Sequence, residues 1–191
     1  GVNAGYKNQG TSSIAIGTDA GFWYQGTRSI AYGVNAGHTL QGQNAVALGY
    51  SSGEWFQPDN GIAIGSSAGY LNQGLQSVAI GSSSGLTNQS NNSVAIGYSS
   101  GETTQGLQSV AIGLQAGQIS QTSNCIAIGY LSGNSIQGTK SVAIGHQTGQ
   151  TTQGENSVAM GPSAGKISQG AYSVAMGPNA GQTTQGENSV A

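Results

Sequence analysis

The hydrophobic and polar positions of this chain repeat with a period of 16 residues and no insertion or deletion. The strings Ser13-Ile14-Ala15-Ile16-Gly17, Ser77-Val78-Ala79-Ile80-Gly81 and Ser141-Val142-Ala143-Ile144-Gly145 mark the phase. Arranged sixteen to a row, the sequence gives twelve rows. The column that begins at Ile14 is always Ile or Val, the next is always Ala, and the one after is large, usually Ile. Alternation of this kind predicts a short strand whose faces differ. A small-residue bend such as Gly65-Ser66-Ser67-Ala68-Gly69 follows. A second short strand then ends in Gln, as in Tyr70-Leu71-Asn72-Gln73, and a further bend leads to the next Ser. The bends are too short for a crossover helix. The pattern therefore predicts an all-β fold: a parallel β-solenoid, or β-roll, of twelve 16-residue rungs with two short strands each. An antiparallel meander is the other arrangement of such strands, but it does not require like residues to stand above like.

Glycine usage separates this reading from disorder. Of 34 glycines, 33 fall in the three columns headed by Gly1, Gly5 and Gly10, whereas glycine used for flexibility scatters. Gly17, Gly21, Gly26, Gly65, Gly69 and Gly74 are representative candidate turn glycines. The prolines Pro58, Pro162 and Pro178 also fall at bends. Val and Ile share one strand face and are expected to form the core, as Ile14, Ile16, Val78, Ile80, Val110, Ile112, Val142 and Ile144. The opposite face is minimal, and Ser77, Ala79, Ser93, Ala95, Ser109 and Ala111 are its candidate inter-chain contacts, since such small side chains let another sheet approach closely. The invariant glutamines Gln9, Gln25, Gln41, Gln57, Gln73, Gln89, Gln105, Gln121, Gln137, Gln153, Gln169 and Gln185 are expected to form an amide ladder along the stack. Two aliphatic side chains per rung, at about 1.5–3 kcal/mol each, do not offset the entropy of ordering 16 residues. Stability must come from neighbouring rungs, twelve of which make a rod about 55–60 Å long.

Charge narrows the function. Four basic and six acidic side chains give a net charge of −2, with no basic stripe for nucleic acid. No two like charges share a column on adjacent rungs, as in-register stacking requires. The apolar runs are too short to span a bilayer. Cys125, the one cysteine, stands in a column of mostly Ser and reads as a small-residue exchange. His38 and His146 lie on separate rungs with no repeated acidic or nucleophilic partner, so no catalytic constellation is present and the chain reads as a non-enzyme. The glycine-rich strings lack the Gly-Lys-Ser/Thr of a phosphate loop, and Asp19 and Asp59 are too few for a calcium-binding roll. No cofactor or metal is expected. The aromatic residues Phe22, Trp23, Tyr24, Trp55 and Phe56 concentrate near the beginning of the chain and are candidates for binding a carbohydrate or a partner protein, or for packing at a corner.

The Ser-Val-Ala-Ile-Gly strand with its glycine-containing bend resembles the head repeats of trimeric autotransporter adhesins, the YadA-like or Hep/Hag repeats. It is also similar to repeats in fibre proteins of phages and large viruses. The resemblance implies a left-handed parallel β-roll, three chains about an axis, and attachment to matrix or host surfaces. The constant Gln-Gly is not part of that family's signature. Residues 1–191 are expected to be one continuous solenoid excerpted from a longer repeat protein. The expected function is a structural or adhesive fibre at the cell or virion surface or outside the cell. Its partners are expected to be itself, as a trimer or paired solenoids, and a host or matrix surface. An ice-binding solenoid and a functional amyloid-like fibre subunit are the alternatives.

Overall fold

A computed structural model describes all residues from Gly1 to Ala191. The chain is a parallel β-solenoid with a 16-residue rung. One face is an eleven-stranded sheet built from the Val/Ile-Ala-Ile segments, beginning with Ile14–Ile16 and ending with Val174–Met176. Its register is strict: Val94 faces Val110, Ala95 faces Ala111 and Ile96 faces Ile112. The opposite face is carried by a four-stranded sheet, from Lys7–Gln9 to Trp55–Gln57, and a six-stranded sheet, from Thr104–Gln105 to Thr184–Gln185. The regular strands hold only three or two residues, because bends occupy the rest of each rung.

The interior reverses the core expected from hydrophobicity. Ala31, Ala63, Ala79, Ala95, Ala111 and Ala143 are wholly buried, as are Ser77, Ser93 and Ser109. The small face of the first strand is therefore the inside of the rod and is not a free inter-chain surface. Val78, Ile80, Val110, Ile112, Val142 and Ile144 are only half-buried, and Ile14 and Ile16 are 47% and 49% exposed. The reason is width. A Cβ placed on Gly69 would lie 3.3 Å from the Ala63 Cβ and 2.9 Å from the Gln73 amide, so the two walls nearly touch. No aliphatic chain longer than Ala fits between them, and the branched residues of the period-two pattern must point outwards.

Glutamine fills the space that remains. From Gln25 to Gln185, each Nε2 crosses the interior to a first-strand carbonyl: Gln73 donates to Ile62 O at 2.6 Å, Gln105 to Val94 O at 2.7 Å and Gln137 to Ile126 O at 2.8 Å. The amide-to-amide ladder is made at three steps only, Gln41 to Gln57, Gln89 to Gln105 and Gln121 to Gln137. The column is mainly a cross-brace that joins the two walls of a rung. The buried serines close the adjoining bend, as Ser77 Oγ does on Gly74 O at 2.6 Å. Cys125 takes the same buried place, with Sγ 3.0 Å from Gly138 O.

The turn glycines serve different needs. Gly69 has φ +53° and its α-hydrogen faces the glutamine amide. Gly65 has φ +127°, and a Cβ there would meet the Gly81 carbonyl carbon at 2.8 Å. Gly17 and Gly21 repeat these two roles. Gly26 and Gly74 have no positive φ; a Cβ on Gly74 would meet the Ser90 backbone at 2.3 Å, although Pro58, Ser90 and Thr122 occupy the same column on other rungs. Left-handed residues other than glycine also recur in each rung, in the columns of Asn3 and Ser12. Asn is frequent there because its short polar side chain tolerates that conformation.

The second face contains a fault. In its first six rungs the middle residue of the second strand is left-handed: Asn8, Tyr24, Leu40, Phe56, Asn72 and Asn88 have φ between 54° and 61°. Asn88 N donates backwards to Leu71 O at 3.0 Å. From Thr104 onwards the residue is extended and its N–H points forwards, as Thr104 N does to Ile119 O at 3.2 Å. The peptide plane has turned over. Between the two regimes the carbonyls of Thr87 and Thr103 receive no backbone donor. The sequence explains the two states: three Asn favour the left-handed form, whereas Thr104, Ile136 and Thr152 are β-branched and favour extension. Tyr24, Leu40 and Phe56 are carried into the costly state by the rungs on either side.

Candidate functional site

Two exposed surfaces carry recognisable chemistry. The first is the outer face of the eleven-stranded sheet, where the columns of Ile14 and Ile16 form an uninterrupted apolar band about 50 Å long, aliphatic except at Tyr32. At its two ends the band is most open: Tyr32 is 51% exposed and Met176 58%. No charged side chain enters either column, from Ile14 to Val190 or from Ile16 to Met176.

The second surface is the aromatic half of the opposite face, and the structure divides the five candidates between two groups. Phe22, Trp23 and Trp55 belong to a ribbon along one edge. Tyr6 stacks on Phe22 with centroids 5.0 Å apart and planes at 9°, and Phe22 stacks on His38 at 5.0 Å and 4°. His38 continues to Trp55 at 5.7 Å, with its Nδ1 2.8 Å from Thr39 Oγ1. Lys7 Nζ lies 4.5 Å over the Trp23 ring, a cation–π contact. In later rungs the same edge turns polar: Gln118 donates to Glu102 at 2.6 Å and Asn134 to Gln118 at 3.0 Å. The other histidine, His146, lies 5.0 Å from the Tyr130 ring on a different column.

Tyr24 and Phe56 form a second group, which meets the ribbon where the Trp23 and Tyr24 rings lie 6.4 Å apart. With Leu40 between them, Tyr24 and Phe56 line an open groove of about 530 Å³. All three are about half exposed. The left-handed φ that sequence reasoning did not foresee sets these side chains along the groove. Asn8, Gln43 and Asp59 are among its polar lining residues. Asp59 Oδ1 accepts the Gln43 N–H at 2.7 Å and its other oxygen takes no donor from the protein. The rung that supplies Phe56 departs from the repeat in two columns, with Pro58 in a glycine column and Gly61 in the serine column, as does the rung of Thr122 and Cys125.

Elsewhere titratable groups are sparse. No three of His, Cys, Asp and Glu gather where a metal ion would need them. Tyr172 donates to Glu155 Oε1 at 3.1 Å; this hydrogen bond and the nearby negative charge hold its phenol pKa above the usual value. No helix is long and apolar enough to cross a membrane.

The last rungs, with Ser173-Val174-Ala175-Met176-Gly177 and the start of its successor at Ser189, present the first-strand motif in its regular setting. Residues 168–191 match the YadA head domain repeat, in two copies. The columns of that YadA-like stretch run back through the chain to Ser13, so the adhesin-like motif and its solenoid setting extend beyond the matched residues. No curated protein and no solved structure gave a match.

Proposed function

We propose that this chain is a rigid segment of a structural or adhesive surface fibre that packs against copies of itself through the outward Val/Ile face. The observation that carries the proposal is the continuous apolar band of the eleven-stranded sheet. Exposed apolar surface of this extent and regularity marks an association surface, because leaving it in water forgoes about 25 cal/mol per Å². Equal spacing along the rod lets a second or third copy engage every rung at once, and closed symmetry then hides the band completely. The interior, made of Ala, Ser, Gly and Gln, holds each rod rigid without drawing on the aliphatic residues. The YadA-like repeat supports a surface or extracellular setting and attachment to a host or matrix surface.

The test is sedimentation velocity on residues 1–191 and on the double variant Ile80→Lys/Ile112→Lys. Both positions are half-buried on the outer face. The parent chain is expected to sediment as a dimer or trimer and the variant as a monomer with the same β-sheet circular dichroism. A parent chain that stays monomeric at high concentration overturns the proposal.

A further inference from the structure

We propose that the groove lined by Tyr24, Leu40 and Phe56 binds a neutral oligosaccharide whose sugar rings lie along the rod axis. The groove lies on the sheet opposite the Val/Ile band, so the site is independent of self-association. Its lining combines two aromatic rings and an aliphatic chain on successive rungs with polar residues that include Asn8, Gln43 and Asp59. Aromatic rings present a negative face, which the weakly positive C–H bonds on one side of a pyranose complement. Tyr24 and Phe56 are two rungs apart, about 9–10 Å along the axis, a spacing suited to alternate rings of an extended linear glycan, with Leu40 level with the ring between them.

Charge selects a neutral ligand. No Lys, Arg or His lines the groove, and Asp59 places one carboxylate in it. Nucleic acid and acidic sugars are disfavoured. A proline-rich peptide also suits an aromatic groove by shape, but proline has no N–H to offer. The second oxygen of the exposed Asp59 is an acceptor that takes no donor from the protein, and a sugar hydroxyl can donate to it.

The backbone gives the second line of support. Tyr24, Leu40 and Phe56 have φ of 55°, 55° and 61°, a conformation that disfavours bulky residues. Asn at the same column on the first, fifth and sixth rungs adopts it at lower cost. Leu131 and Tyr172 are also left-handed, at φ 53° and 54° in other columns, but only along the groove do three large residues on consecutive rungs share the costly state, which fits strain kept for a site.

Isothermal titration of residues 1–191 with linear hexaoses of glucose, N-acetylglucosamine and mannose, alongside a proline-rich decapeptide, tests this. At least one hexaose is expected to bind saturably. Phe56→Asn, which keeps the left-handed backbone, is expected to weaken it about tenfold or more without lowering the melting temperature. Asp59→Asn is expected to weaken it severalfold. Failure of all three hexaoses, unchanged affinity in Phe56→Asn with an intact fold, or binding of the peptide alone overturns the proposal.

Discussion

Replacing Gln105 by Ala tests whether glutamine, and not aliphatic packing, joins the walls of each rung. Gln105 is wholly buried. Its Nε2 donates to Val94 O at 2.7 Å and approaches Ser109 O at 3.3 Å, while its Oε1 accepts from Gln89 Nε2 at 3.1 Å. In the Ala variant the Val94 carbonyl faces the interior without its donor, which costs about 1–3 kcal/mol. The vacated space adds about 1–2 kcal/mol, because the stacked backbones cannot collapse into it. Gln89 loses little, since it still donates to Val78 O at 2.8 Å. The expected loss is therefore about 3 kcal/mol, read as a shift of the urea midpoint by circular dichroism. Gln105→Glu sharpens the test. Burial raises the folded carboxyl pKa above its unfolded value of about 4.3, so the native state holds the proton more tightly. This variant is expected to be most stable below about pH 4 and to lose stability as pH rises. A change below about 0.5 kcal/mol in the Ala variant, within the range of ordinary surface substitutions, refutes the cross-brace.

Four other outcomes follow from the same structure. Ala111→Leu forces a branched chain into a full interior and is expected to lower stability by about 1–3 kcal/mol or more in thermal melts, whereas Ile112→Leu on the outside leaves an isolated rod nearly unchanged. Leu40→Asn relieves a left-handed leucine and is expected to stabilise the chain by about 1 kcal/mol, measured by urea unfolding. Native-state hydrogen exchange is expected to be faster for second-strand amides around Asn88 and Thr104 than for Ala95 and Ala111, because the ladder is interrupted between the former pair alone. Glu155→Gln removes the charge that holds the Tyr172 phenol above its usual pKa, and NMR titration is expected to show it returning towards about 10.

Architecture was legible because the 16-residue period puts identical residues above one another. Only stacking turns make equal use of an unvarying Ala, Gln and Gly on every rung. Invariant glycine also located the bends, since the Gly69 type needs left-handed φ and the Gly65 type needs close backbone approach. The orientation of the first strand was not legible. Alternation shows that Val78 and Ile80 share a face but not which face is inside, and ranking by hydrophobicity selects the wrong one. That choice depends on the distance between walls some eleven residues apart in sequence, bridged by Gln89 to Val78 O. The peptide reversal between Asn88 and Thr104 likewise depends on neighbours. Asn or Thr states a local preference, but Tyr24, Leu40 and Phe56 take their conformation from the rungs beside them. The sequence by itself thus determined the repeat, the bends and the stacking register, which are properties of local chemistry repeated in order. Tertiary structure alone decided what faces inwards and which apolar side chains remain in water, because those depend on the width of an interior that no single rung defines.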